Sequence, residues 1–277
     1  MFYLILAITS SALISIIMRI SSGKASGLGM LAVNYLTCIA IACGLTGVSD
    51  LIPRGDGASF SVILGVLNGI LYLSGFAMFQ LSVKKNGVVM SSTFMKLGLL
   101  VPMIVSICFF GEVPNWMQII GFLLAITAIL LINLQKEESA LSFKAGLILL
   151  LLFGGAGDAM SKIFEELGDP AYSEQFLLYT FASACLFCVP VMLYKREKIC
   201  KGDLLYGFLI GIPNYFSARF LLLSLETVDA VVAYPTYSVG TIIVVSFVGM
   251  IFFREKLNRK QLFAIALILL SLILLNI

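Results

Sequence analysis

Residues 109–118 read Phe-Phe-Gly-Glu-Val-Pro-Asn-Trp-Met-Gln, and residues 252–261 read Phe-Phe-Arg-Glu-Lys-Leu-Asn-Arg-Lys-Gln. A shift of 143 residues sets Phe109, Phe110, Glu112, Asn115 and Gln118 on Phe252, Phe253, Glu255, Asn258 and Gln261, five identities in ten positions. The same shift lays Arg19 on Lys162, and a shift of 142 lays Gly65, Gly69 and Ser82 on Gly207, Gly211 and Ser224. The chain reads as two copies of one pattern, residues 1–138 and 139–277, and the content of each copy fixes the fold.

Each copy is a run of long apolar stretches. Of 277 residues, 60% are hydrophobic and 12% charged, where soluble domains carry about 25% charged residues. A helix needs ~20 mostly apolar residues to cross a hydrocarbon core of ~30 Å. Ten stretches qualify: Phe2 to Ser21, Leu28 to Val48, Phe60 to Leu81, Val88 to Phe110, Met117 to Leu134, Phe143 to Phe164, Tyr172 to Tyr194, Asp203 to Leu225, Ala230 to Phe253 and Lys260 to Ile277. A membrane barrel would show alternating segments of about 10 residues, and uniformly apolar segments satisfy their backbone in lipid only as helices. The expected fold is an all-α polytopic membrane protein with ten transmembrane helices. Because each copy holds five spans, an odd number, the second enters from the opposite side and the halves form an inverted repeat. Basic residues follow the first stretch (Arg19, Lys24) rather than precede it, so it reads as a retained span and not a signal peptide.

Charge placement gives an expected orientation. Fourteen Lys and Arg fall in loops, thirteen of them in odd-numbered ones: Lys24; Lys84 and Lys85; Lys136 and Lys144; Lys195, Arg196, Lys198 and Lys201; Arg254, Lys256, Arg259 and Lys260. Only Arg54 lies in an even loop. The positive-inside rule then puts odd loops in the cytoplasm and both termini outside the cytoplasmic membrane. The six cysteines are scattered without metal or disulfide spacing and read as packing residues. The expected partners are a small-molecule metabolite and the lipid bilayer, with no nucleic acid, cofactor or metal, in a monomer or homodimer.

The two five-span halves each close their fourth span with an aromatic run into a glutamate, Phe109-Phe110-Gly111-Glu112 and Phe252-Phe253-Arg254-Glu255. In this layout the chain resembles the EamA-type members of the drug/metabolite transporter superfamily. The resemblance implies a ten-helix carrier that works by rocking of its halves, with a cavity formed mainly by helices three, four, eight and nine. Members of that family move amino acids, nucleotide sugars, quaternary amines, sugar phosphates and drugs, so no single substrate is implied.

Charges within spans cost about 2.5–3.5 kcal/mol at a helix centre and ask for a reason. Lys96 lies eight residues into span four, about 12 Å deep at 1.5 Å per residue. With Thr93 and Ser92 on the same face it ends a polar strip, and its sensible partners are a bound anion or Asp158. Asp158 itself stands four residues before Lys162, the favourable order for a helical ion pair, and could instead couple transport to protons. Arg219 follows Tyr215 by one turn and reads as a cavity residue or an interfacial anchor; Arg19 can snorkel from the end of span one. Ile212-Pro213-Asn214-Tyr215 is expected to interrupt span eight and Ala233-Tyr234-Pro235-Thr236-Tyr237 span nine, and unwound backbone in a membrane lines a cavity or is buried in protein. With Asn68 and Tyr72 on span three, Asn214, Tyr215, Tyr234 and Tyr237 complete the expected substrate-binding set. Gly65 and Gly69 suit close helix contact. Asn115 with Gln118, and Asn258 with Gln261, have capping-box spacing, and the glutamates before them could bridge or gate short loops.

Two other classes compete with a carrier. An intramembrane enzyme loses its histidine-dependent forms because the chain has no histidine. Gly155-Ala156-Gly157-Asp158 fits the GxGD pattern of aspartyl proteases, whose chemistry needs two carboxylates sharing a proton, and no second aspartate lies deep in a span. A channel or scaffold is disfavoured by the inverted repeat. The sequence therefore points to a carrier of small metabolites. Lys96 and Arg219 favour amino-acid-like or other carboxylate- or phosphate-bearing substrates, although the tyrosines would equally suit an aromatic or cationic one.

Overall fold

A computed structural model describes residues 1–21, 24–47, 50–52, 54–55, 57–86, 91, 94–133, 144–252 and 259–277. Among these residues the helices are α1 (Phe2–Ser21), α2 (Gly27–Thr46), α3 (Ala58–Asn86), α4 (Leu100–Phe109), α5 (Trp116–Asn133), α6 (Lys144–Leu167), α7 (Ser173–Tyr194), α8 (Lys201–Leu225), α9 (Ala230–Phe252) and α10 (Arg259–Leu275). Short 3₁₀ turns at Leu97–Leu99 and Pro170–Tyr172 precede α4 and α7. Seven helices are long and apolar enough to cross a membrane, and three apolar helices, Phe94–Phe109, Trp116–Leu131 and Phe263–Leu275, are shorter.

The proline-marked interruptions fall elsewhere than expected. Helix α8 continues through Pro213 and α9 through Pro235. Each proline removes one N–H from its ladder, a loss that packed neighbours can offset inside a membrane. Span four is instead the one that departs from α geometry, tightening at Leu97–Leu99. Pro102 explains it: its missing N–H and its ring act on the carbonyl four residues back, at Gly98, and the chain tightens into a 3₁₀ turn there.

The chain divides into two compact units, Met1–Leu73 with Ile163–Ser224, and Ser74–Lys162 with Leu225–Ile277. Each draws helices from both sequence halves. In the first unit the repeated glycines make equivalent contacts. A Cβ on Gly65 would lie 2.7 Å from the Phe176 carbonyl oxygen, and one on Gly69 1.9 Å from Ser183 Oγ, so α3 rides directly on α7. Their counterparts Gly207 and Gly211 would meet Val33 Cβ at 2.6 Å and Thr37 Cβ at 2.5 Å, so α8 rides on α2. A helix of one half is thus seated on a helix of the other, twice, through glycines one turn apart.

The ends of the first unit are tied in a matching way. At one end Asp203 accepts hydrogen bonds from Ser26 N at 2.6 Å and Cys200 N at 2.8 Å, and Glu197 accepts from Leu28 N at 3.3 Å. At the other, Tyr172 and Gln175 donate to the carbonyls of Arg54 and Asp50 at 2.9 and 3.2 Å. Odd-numbered connections meet odd, and even meet even. In the second unit α5 packs along α10, and Ser271 Oγ donates to the Gly121 carbonyl at 2.7 Å.

The capping box at the start of α5 is present: Gln118 N donates to Asn115 Oδ1 at 2.8 Å and Asn115 N to Gln118 Oε1 at 2.9 Å. The second copy, Asn258 with Gln261, lies outside the described residues.

Candidate functional site

The second unit gathers the charged residues that the sequence marks as deepest. Gly155 on α6 and Gly98 in the 3₁₀ turn let two backbones touch, since a Cβ on Gly155 would lie 2.2 Å from the Gly98 carbonyl oxygen. The glycines of the GxGD stretch thus serve helix contact. That approach carries Lys96, the residue just before the 3₁₀ turn, and Asp158, about one turn along α6, into electrostatic reach of each other. Both side chains are half-buried. Tyr234 on α9 is 1% exposed, and its hydroxyl donates to the Asp158 backbone oxygen at 2.7 Å. Three elements therefore converge on Asp158: the start of span four with a cation, α6 with the acid, and α9 with a phenol. Tyr237 lies on α9, half-buried, its carbonyl accepting from Thr241 Oγ1 at 2.7 Å. Ser92 and Thr93 lie outside the described residues.

Lys162, four residues after Asp158, is bound elsewhere than the helical spacing suggests. Its ammonium lies 2.9 Å from Glu112 Oε1 and 5.9 Å from the Phe110 ring centroid. Glu112 also accepts from Ala230 N and Val231 N, the first turn of α9, both at 3.0 Å. Burial alone would raise the Glu112 carboxyl, but the Lys162 ammonium and the Ala230 and Val231 N–H groups outweigh it and hold the carboxyl below the usual carboxylate range. The glutamate thus bridges its loop to two helices. Gly111, at φ +72, makes the turn that brings it there.

The first unit holds the other expected residues. Asn68 donates from Nδ2 to Thr180 Oγ1 at 3.4 Å and is 1% exposed, while its Oδ1 has no partner among the described residues. Tyr72 meets Phe181 edge-on at 6.3 Å between centroids. Asn214 donates to Asn34 Oδ1 at 3.2 Å, and Cys38 donates to the Gly211 carbonyl at 3.3 Å, two turns' worth of polar contact that hold α8 to α2 beside Pro213. The Tyr215 hydroxyl donates to Glu174, and Arg219 Nε reaches Glu174 Oε1 at 2.5 Å. Arg219 is therefore an ion-paired residue, with its side chain 29% exposed.

The model of the EamA-like transporter family matches this chain twice, over residues 1–134 and 144–277. The chain belongs to the EamA-like transporter family. The two matches fall one on each half, as the 143-residue repeat requires, and the family is one of membrane transporters of small molecules. This EamA-like protein is 23% identical over 270 residues to an uncharacterized protein of Haemophilus influenzae, with 92% of this chain and 91% of the relative covered. A protein of known crystal structure shares the fold with a TM-score of 0.81 at 13% identity, covering 99% of this chain and 94% of its own.

Two residues of the first unit that bind expected ones were not marked by the sequence. Glu174 stands at the rim of its span, where a carboxylate is ordinary, and only the fold brings it to Arg219. Asn34 sits alone in an apolar stretch, a signal that could have been weighed. The 3₁₀ turn beside Lys96 was legible in Pro102, which falls six residues after the lysine.

Proposed function

We propose that this EamA-like protein is a secondary carrier that moves small carboxylate- or phosphate-bearing metabolites across the cytoplasmic membrane by alternating access. The observation that supports this most is the approach of Lys96 and Asp158 to within electrostatic reach beside the 3₁₀ turn of span four. A lone ammonium at that depth needs an anion, and a lone carboxylate needs a cation or a proton. A substrate anion that takes Lys96 must displace Asp158, which can then bind a proton. Anion and proton are thus bound together, and binding of one favours binding of the other. The thirteen-to-one loop bias supports odd loops facing the cytoplasm and both termini outside.

Asp158→Asn tests the coupling, because it removes the competitor while leaving Lys96. The variant should bind the anionic substrate more tightly than the parent and lose the pH dependence of that binding, by roughly the 5- to 150-fold typical of coupled sites. Uptake into proteoliposomes should stop responding to a pH gradient. Identical affinity and identical gradient response in parent and variant would remove Asp158 from the mechanism.

A further inference from the structure

The repeated stretch Phe-Phe-Gly-Glu at 109–112 has a position that the coupling at Lys96 does not use. Glu112 gathers three elements at one end of the second unit. Its own loop follows α4. Its carboxylate takes the two free N–H groups at the start of α9 at 3.0 Å each, and it meets the Lys162 ammonium near the end of α6 at 2.9 Å. A helix N-terminus exposes unpaired N–H groups and favours an anion, and a cation beside it completes the match. The Glu112 side chain is 10% exposed and that of Lys162 3%, so this is an enclosed contact and not a solvated surface pair. Phe110 lies against the same ammonium at 5.9 Å.

The contact is one helical turn from the candidate site on both helices. Four residues inward from Lys162 is Asp158, and four from Ala230 is Tyr234, whose hydroxyl holds the Asp158 carbonyl. Any motion that separates the outer turns of α6 and α9 has to break the Glu112 bonds first. The same residue types recur in sequence at Phe253, Glu255 and Arg19, at the 143-residue shift.

We propose that Glu112 is a positioning residue of the transport cycle: its carboxylate clasps the start of α9 to the end of α6 while the site at Lys96 and Asp158 is shut toward that face, and lets go when that face opens. The inference rests on the carrier reading above and adds to it a residue that touches no substrate.

The test needs no substrate, which separates its failure from failure of the carrier reading. Glu112→Gln alone takes the carboxylate away from the buried Lys162 ammonium and can fail to fold, so the informative variant is Glu112→Gln with Lys162→Met, which removes both charges. The reporter is a single cysteine at Tyr237, two turns along α9 from Ala230, in a background without the native cysteines. An impermeant thiol reagent is added outside intact cells. The double variant should label about tenfold faster than the parent carrying the same reporter, the effect of weakening the closed state by ~1.4 kcal/mol. Hydrogen exchange at the Ala230 and Val231 amides should quicken with it. A contact that only holds the fold together would lower the melting temperature and leave the labelling rate from that face unchanged. Unchanged labelling and exchange overturn the proposal, and faster labelling beside a parent protein, with Tyr237 in place, that carries no anion would leave the clasp standing and sink the carrier.

Discussion

Lys96→Met should lose both stability and substrate binding, and adding Asp158→Asn should return the first and not the second. The single variant replaces a cation by an apolar chain of similar length and strands the Asp158 carboxylate opposite it. A charge left inside a span without its countercharge costs about 2.5–3.5 kcal/mol at a helix centre, whereas replacing both members of such a couple is often neutral. The melting temperature should therefore fall sharply in the single variant and recover in the double one. Anion affinity should stay low in both, because the ammonium that the substrate needs is gone from both. A double variant that binds as the parent does would assign Lys96 to Asp158 alone and leave the substrate site to be sought at Arg219.

The second large effect is at the glycine seats. Gly69→Leu should prevent α3 from resting on α7: even a Cβ there would stand 1.9 Å from Ser183 Oγ and 2.3 Å from the Thr180 carbonyl oxygen, closer than atoms approach. Overpacking commonly costs about 1–3 kcal/mol, and here the neighbour is backbone, which gives little. Gly211→Leu, set against Thr37, should behave alike because it holds the equivalent seat in the other half. Gly44→Ala is the control, since a Cβ there meets nothing within 4 Å and alanine is the better helix former. Melting temperatures of the three variants decide it, and a tolerated Gly69→Leu would mean that α3 and α7 are not seated as described.

What was legible in the sequence was what depends on pattern along the chain. The apolar stretches gave the helices, because lipid leaves the backbone few other ways to pair. The Gly65–Gly207 and Gly69–Gly211 matches named the residues of two equivalent helix contacts before their partners were known. The Asn115–Gln118 spacing gave a capping box because both its members lie within one turn. Partners across helices were harder. Lys162 has Asp158 at the favourable helical spacing, yet it goes to Glu112, since a loop carboxylate fixed by two backbone N–H groups is the better-placed anion. Arg219 is satisfied by Glu174, 45 residues away along the chain, which no local pattern announces. The prolines misled for a different reason. Pro213 and Pro235 are the conspicuous ones, but a proline inside a packed membrane helix need not break it, while Pro102 acts on Gly98 beside the deepest lysine.

The carrier reading is tested most directly by counterflow. Proteoliposomes loaded with an unlabelled carboxylate or phosphate metabolite that raises the melting temperature of the purified protein are diluted into the same compound at trace radiolabelled concentration. A carrier that alternates around Lys96 should accumulate label transiently above equilibrium, at a rate that saturates with concentration and vanishes in the Lys96→Met, Asp158→Asn variant. Flux that rises linearly with concentration, shows no overshoot and survives in that variant would contradict the account and point to a pore.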